Sequence, residues 1–110
     1  DLRGNIIAFG GRVLDDSKPK YVNSPETLVY HKSGTVFALQ IAKRSASRRF
    51  VLCEGYMDVI SMHQAGIDTA VCACGTALTP DQVRLISATT RMKRARRPPC
   101  ARWRCSATAR

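Results

Sequence analysis

The last 20 positions, 91–110, contain no acidic residue, although eight of the 18 Lys/Arg lie there. The other ten cations share residues 1–90 with all eight Asp/Glu, so the net charge of +10 divides into +2 for the first 90 positions and +8 for the tail. A charge of +10 points to a polyanionic partner, although most of it is a property of the tail. Aromatic residues are scarce, at 6%, against 45% hydrophobic overall, so the core is expected to be aliphatic. No apolar run approaches the roughly 18 residues that span a bilayer, and no secretory leader opens the chain. A membrane partner is therefore not expected, and the expected compartment is the cytoplasm. The chain begins at Asp1 without an initiator methionine, so its first residues are expected to lie inside a longer protein. The five cysteines, Cys53, Cys72, Cys74, Cys100 and Cys105, form no C-x-x-C pair, and neither His31 nor His63 is spaced with them as a ligand. No zinc site is expected. Their odd number, without a leader, also argues against a disulfide framework. Cys53 and Cys72 fall in apolar runs and read as buried small hydrophobes.

What is present is an alternation of short apolar runs and turn signals. Ile6 to Phe9 reads as a strand turned by Gly10-Gly11, and Tyr21-Val22 as a second extended piece beyond the polar stretch 15–20. Between Gly34 and Ala46 the spacing of Val36, Leu39, Ile41 and Ala42 predicts an amphipathic helix closed by Lys43-Arg44. Phe50 to Cys53 is continuously apolar and predicts a strand covered on both faces. Met57 to Ala65 reads as a helix with Val59, Ile60 and Met62 inward and Gly66 as its stop. Ala70 to Ala73 predicts a second buried strand. A further helix then starts at Thr79-Pro80-Asp81-Gln82, with Thr79 capping, Pro80 in first place and Gln82 completing a capping box. Its apolar face is Val83, Leu85 and Ile86. Strand, helix, strand and helix with short connections make a parallel βαβα unit. After Thr90 no period of 2 or 3.6 continues.

In an open parallel sheet, ligands bind beyond the carboxyl ends of the strands. Glu54 lies at such an end, and Asp58 follows in the first turn of the next helix. Two carboxylates so placed can hold a divalent cation, or take a proton from an attacking hydroxyl beside bound phosphates. The same spacing also serves simple helix capping. Arg12, Lys18, Lys20 and Lys32 interleave with Tyr21, Asn23 and Tyr30, a mixture that suits triphosphates and single-stranded nucleic acid, or else an ordinary solvated loop.

The motifs Phe9-Gly-Gly-Arg-Val-Leu14, Pro19-Lys-Tyr-Val-Asn-Ser-Pro-Glu-Thr27, His31-Lys32, Glu54-Gly-Tyr-Met-Asp-Val59 and Gly75-Thr-Ala-Leu-Thr79 together resemble the catalytic core of bacterial DnaG-type DNA primases. The resemblance covers residues 1–88 in one order. It implies an α/β fold: the end of the core's N-terminal α+β subdomain over 1–48, then an incomplete TOPRIM βαβα unit over 49–90. It implies a nucleotidyltransferase that makes short RNA primers on single-stranded DNA from ribonucleoside triphosphates, uses Mg²⁺ or Mn²⁺, and partners the replicative helicase. Glu54 matches the family's catalytic acid, a general base or metal-organising group, and Asp58 a second acidic position near the metals. Arg12, Lys20, Tyr21, Asn23 and Lys32 match the basic patch that meets nucleotides and nucleic acid, and Lys18 beside them is a further candidate for the same contacts.

The sequence departs from that family after Thr90. No third strand ending in Asp-x-Asp appears there, and position 34, often basic in the family, is Gly34. The zinc-binding and helicase-binding domains have no counterpart in these 110 residues. Encoded with GC-rich synonymous codons and read one nucleotide earlier from Thr89, residues 90–105 become a segment resembling Asp-x-Asp-x-Ala-Gly and its following helix. The expectation is a deletion near codon 89 that shifted the frame, leaving 91–110 as a basic, unstructured tail and the isolated chain inactive. Two other readings stay open: another TOPRIM enzyme, such as a topoisomerase or nuclease, and a non-catalytic basic nucleic-acid-binding protein.

Overall fold

The computed structural model describes residues 1–47, 49–75 and 77–90, and the backbone of 91–95. Near the N-terminus, β1 (Gly10–Arg12) and β2 (Tyr21–Asn23) form an antiparallel hairpin with Gly10 opposite Asn23 and Arg12 opposite Tyr21. A 3₁₀ turn, Lys32–Gly34, leads into β3 (Val36–Phe37) and the single-turn helix α1 (Leu39–Ala42). Then follow β4 (Val51–Cys53), α2 (Tyr56–Gln64), β5 (Ala70–Ala73) and α3 (Pro80–Ala95).

The second sheet has the order β3-β5-β4, with β4 parallel and β3 antiparallel to β5. The parallel βαβα unit is therefore present, with one antiparallel strand added from earlier in the chain. That strand replaces the amphipathic helix expected over 34–46. Thr35, Val36 and Phe37 are β-branched or aromatic and fit a pleated surface, and pairing with β5 leaves Val36 only 7% exposed. Ala38 then takes a left-handed conformation, φ 63°, which ends the strand and starts α1. The apolar spacing that suggested a longer helix is satisfied by Leu39 and Ala42, three apart on one helical face and both buried.

Strand β5 is the centre of the sheet, with Ala70, Val71 and Cys72 fully buried. Successive side chains on a strand point to opposite faces. Val71 joins Val36, Leu39 and Ala42, flanked by Leu2, Phe50, Leu85 and Ile86. Ala70 and Cys72 join Ala38 and Val59 on the α2 side, flanked by Phe37, Val51, Cys53, Tyr56 and Met62. Each fully buried Val or Leu here contributes roughly 1.5–3 kcal/mol. Strand β4, expected to be covered on both faces, is instead an edge strand. Leu52 is 53% exposed and Cys53 only half-buried, because pairing reaches β4 from β5 alone.

The helix ends follow their local signals. Gly66 takes φ +85°, its N–H reaches the His63 carbonyl at 3.0 Å, and the Ile67 N–H closes on the Met62 carbonyl at 2.9 Å. This is the six-to-one bond of a Schellman stop. Of the three residues expected inward on α2, Val59 is buried, Met62 half-buried and Ile60 40% exposed. The capping box of α3 forms: Thr79 N–H donates to Gln82 Oε1 at 2.9 Å, and Gln82 N–H to Thr79 Oγ1 at 3.2 Å. The inward face of α3 is Gln82, Leu85, Ile86 and Thr89, and Val83 points out at 45% exposure. The helix continues to Ala95, past the expected stop at Thr90, since Arg, Met, Lys and Ala are good helix formers. The expectation for 96–110 lies outside the described residues. At the other end, Gly10-Gly11 belong to a strand rather than a turn, and Ile6 and Phe9, expected to form that strand, are 79% and 75% exposed.

Candidate nucleic-acid and metal interface

Glu54 follows the last residue of β4 and is exposed at the carboxyl end of the sheet, as the apolar run before it implied. Gly55 is the extended N-cap of α2, and its N–H donates to Asp58 Oδ2 at 3.2 Å. Asp58 therefore caps the helix, where a carboxylate also suits the helix dipole, and it remains exposed. Two carboxylates at one sheet edge fit part of a hard-cation site, because Mg²⁺ is commonly held by one or two carboxylates together with substrate phosphates. Among the described residues no group of three or more His, Cys, Asp or Glu is placed to hold a metal ion.

The hairpin is tied to this same end of the sheet. Asn23 Nδ2 donates to the carbonyl of Cys74, the residue just beyond β5, at 3.4 Å. A Cβ on Gly10 would lie 3.1 Å from Asn23 Oδ1 and 3.2 Å from Tyr56 Cε2, so β1 approaches the start of α2 closely and any larger residue here would make those side chains shift. Around the joint, Tyr30 and Tyr56 face the Cys74 thiol closely enough to act on its ionisation, and Tyr56 meets Phe37 edge-on with ring centroids 4.9 Å apart. Burial raises the pKa of the Tyr56, Tyr30 and Cys74 side chains and pushes the Cys72 thiol up to about 12. These groups are neutral packing elements at ordinary pH. Tyr30, 3% exposed, therefore faces inward and does not join the ligand-facing cations with which it was grouped.

Arg12 lies over the Tyr21 ring, 5.5 Å from its centroid, on paired positions of the hairpin, and both side chains are exposed. Lys18 and Lys20 are exposed in the β1–β2 connection. Asp15 shares that loop, and bonds from the Ser17 hydroxyl and N–H hold its carboxyl below the usual range, so the loop carries both signs of charge. Lys32 opens the 3₁₀ turn and is half-buried, with its N–H donating to Glu26 Oε1 at 3.1 Å. Asn23 is half-buried, and its Oδ1 has no hydrogen-bond partner among the described residues. The structure thus brings Glu54, Asp58 and Asn23 to the carboxyl end of the sheet, with Arg12 and Tyr21 on the hairpin joined there. Three contributors escaped sequence reasoning: Gly10, Cys74 and the side-chain amide of Gln82. The last had a visible signal, because an amide at a capping position carries two donors that the cap does not use.

Comparison with known proteins defines the class first. Residues 1–43 match the DNA primase catalytic core, N-terminal domain, and residues 48–96 match the Toprim domain. The chain is 52% identical over 87 residues to the DNA primase of Clostridium acetobutylicum, and 47% identical over 92 residues to that of Haemophilus influenzae. These alignments cover 78% and 82% of this chain but only 15% and 16% of those proteins. Among solved structures, the Escherichia coli primase catalytic core superposes with a TM-score of 0.76 at 44% identity, over 81% of this chain and 29% of that one. A DnaG primase catalytic domain bound to single-stranded DNA gives 0.74 at 44% identity, over 81% and 29%. The chain belongs to the bacterial DNA primases of the DnaG type, as a segment of their catalytic core. The antiparallel strand β3 comes from the primase-matching part and pairs with β5 of the Toprim-matching part. No helix among the described residues is long and apolar enough to cross a membrane.

Proposed function

We propose that this chain is the template- and nucleotide-guiding segment of a DNA-directed RNA polymerase that makes primers on single-stranded DNA. The observation that carries this reading is the joint at the sheet's carboxyl end, where the Arg12–Tyr21 hairpin is tied beside the strand that ends in Glu54. The exposed ring and guanidinium offer a stacking and phosphate-binding surface, to which Lys18, Lys20, Asn23 and Lys32 add donors. Glu54 would hold a divalent Mg²⁺ or Mn²⁺ ion or accept a proton from the attacking hydroxyl, and Asp58 would assist while capping α2. When bound, the metal neutralises phosphate charge.

Ribonucleoside triphosphates are the proposed substrates, and the replicative helicase is the proposed partner of the longer protein. The isolated chain is expected to synthesise no primer, because no acid in 91–110 completes the carboxylate set. The division into 1–48, 49–90 and a frame-shifted tail 91–110 is part of the same proposal. Codons at 90–105 incompatible with the shifted reading would end that part of it.

A second, non-catalytic reading is favoured by the +8 tail, which would bind any polyanion with steep salt dependence. A single-stranded oligonucleotide carrying 5-iodouracil separates the two. Cross-linking at Tyr21 is expected on the primase reading, whereas cross-links confined to 91–110 would favour the basic binder.

A further inference from the structure

Gln82 lies in the Toprim-matching half, yet most of its side-chain hydrogen bonds leave that half. Its Oε1 accepts from the Thr79 N–H at 2.9 Å, closing the helix cap. Its Nε2 donates to the carbonyls of Lys32 and Thr35, each at 2.8 Å. The Thr79 hydroxyl adds a bond to the Ser33 carbonyl. Three of the four carbonyls in 32–35 thus take their bonds from the first turn of α3, and Gln82 itself is only 1% exposed. The cap asks for an acceptor alone, and a glutamate at this position would serve it equally well. The two amide donors exceed that need, and both are spent on the turn that carries Lys32. The Lys32 and Thr35 carbonyls are part-buried where Gln82 meets them, and losing both donors there would cost these bonds, so the amide fixes the path of this turn.

We propose that Gln82 is a positioning residue that holds the 32–35 turn so that the Lys32 ammonium is presented to nucleic-acid phosphate. This rests on the reading of Lys32 as a phosphate contact. Gln82 acts through the backbone and does not itself touch nucleic acid. Glu26 supports the same turn from the other side by accepting the Lys32 N–H, and Thr79 holds the Ser33 carbonyl, which leaves the Lys32 and Thr35 carbonyls to Gln82.

The test is lysine footprinting on the full chain: acetylation at each lysine, followed by peptide mass spectrometry, with and without a short oligothymidylate. The readout is residue by residue, so binding by the tail does not mask it. In the unaltered chain the oligonucleotide is expected to slow acetylation of both Lys20 and Lys32. Gln82→Glu keeps the acceptor for the Thr79 N–H and removes both donors, whereas Gln82→Met removes all three bonds. In each variant, protection of Lys32 is expected to fall to nearly none while that of Lys20 is retained. An unprotected Lys32 in the unaltered chain overturns the reading of Lys32, and this proposal with it. Protection of Lys32 undiminished in both variants overturns the role of Gln82 alone. Loss at both lysines in both variants also overturns it, since the amide would then hold the whole fold rather than aim one turn.

Discussion

Two leucines of this chain offer the same atoms in opposite surroundings, and truncating each weighs the core against the open edge. Leu39 is 1% exposed and Leu52 is 53% exposed. Leu39→Ala removes three methylene equivalents, about 2.4 kcal/mol of transfer free energy at ~0.8 each. A residual cavity of about 80 Å³ would add close to another 2 kcal/mol at ~24 cal/mol per Å³. Its neighbours Leu2, Phe50, Leu85 and Ile86 are only partly buried, and the first two lie outside the helices and strands. They can close into the space, which brings the expected loss to about 3 kcal/mol. Leu52→Ala, taking the same atoms from a half-wet edge strand, should cost about 1 kcal/mol or less. Urea titration followed by far-UV circular dichroism reads the difference. With a slope of about 1.5 kcal/mol per molar, Leu39→Ala should lower the midpoint by about 2 M and Leu52→Ala by well under 1 M. Equal midpoints for the two variants would refute the assignment of β5 and α1 to the core and β4 to the edge.

Two further outcomes follow from the site. Asp58→Ala removes the acceptor of the Gly55 N–H and should destabilise the chain by about 1 kcal/mol, as loss of a helix cap does; Asp58→Asn, which keeps an acceptor, should cost less in the same urea titration. Stability should also fall at alkaline pH. Burial raises Cys72 from 9.0 to about 12, and raises Cys74, Tyr30 and Tyr56 in the same direction. The native state therefore keeps protons that the unfolded chain has released. This contribution is complete below about pH 9, the ordinary thiol value, and is lost as pH rises above it. Urea midpoints measured across that range, and unchanged by the rise, would contradict the burial of these groups.

The parts of the fold that were legible in the sequence are those with chemical punctuation. Thr79-Pro80 with Gln82, the Gly66 stop and the apolar run at 70–73 each act locally, so the signal and the structure lie within a few residues of one another. The 34–46 segment was misread because Val36, Leu39 and Ala42 satisfy both a helical period and a strand followed by one turn. Pairing of Val36 and Phe37 with Cys72 and Ala73 decides between them, and that partner is more than 30 positions away. The glycine pair at 10–11 reads likewise as a turn, whereas the close neighbours of Gly10 are Asn23 and Tyr56, which no local pattern reveals. For the site, Glu54 was legible as the polar residue closing an apolar strand. Asn23 and Tyr30 were recognisable as polar and aromatic groups, but their inward turn toward Cys74 depends on contacts no local pattern carries.

In the proposed function the carboxylate of Glu54 carries the chemistry. A chimera in which this chain's matching segment replaces the 87 aligned residues of the Clostridium acetobutylicum primase supplies the remainder of a catalytic core around it. Primer synthesis on a single-stranded template should be present in that chimera and should drop by about 100-fold or more with Glu54→Gln, as expected for loss of a general base. Synthesis by the Glu54→Gln chimera at the rate of its parent would contradict the claim.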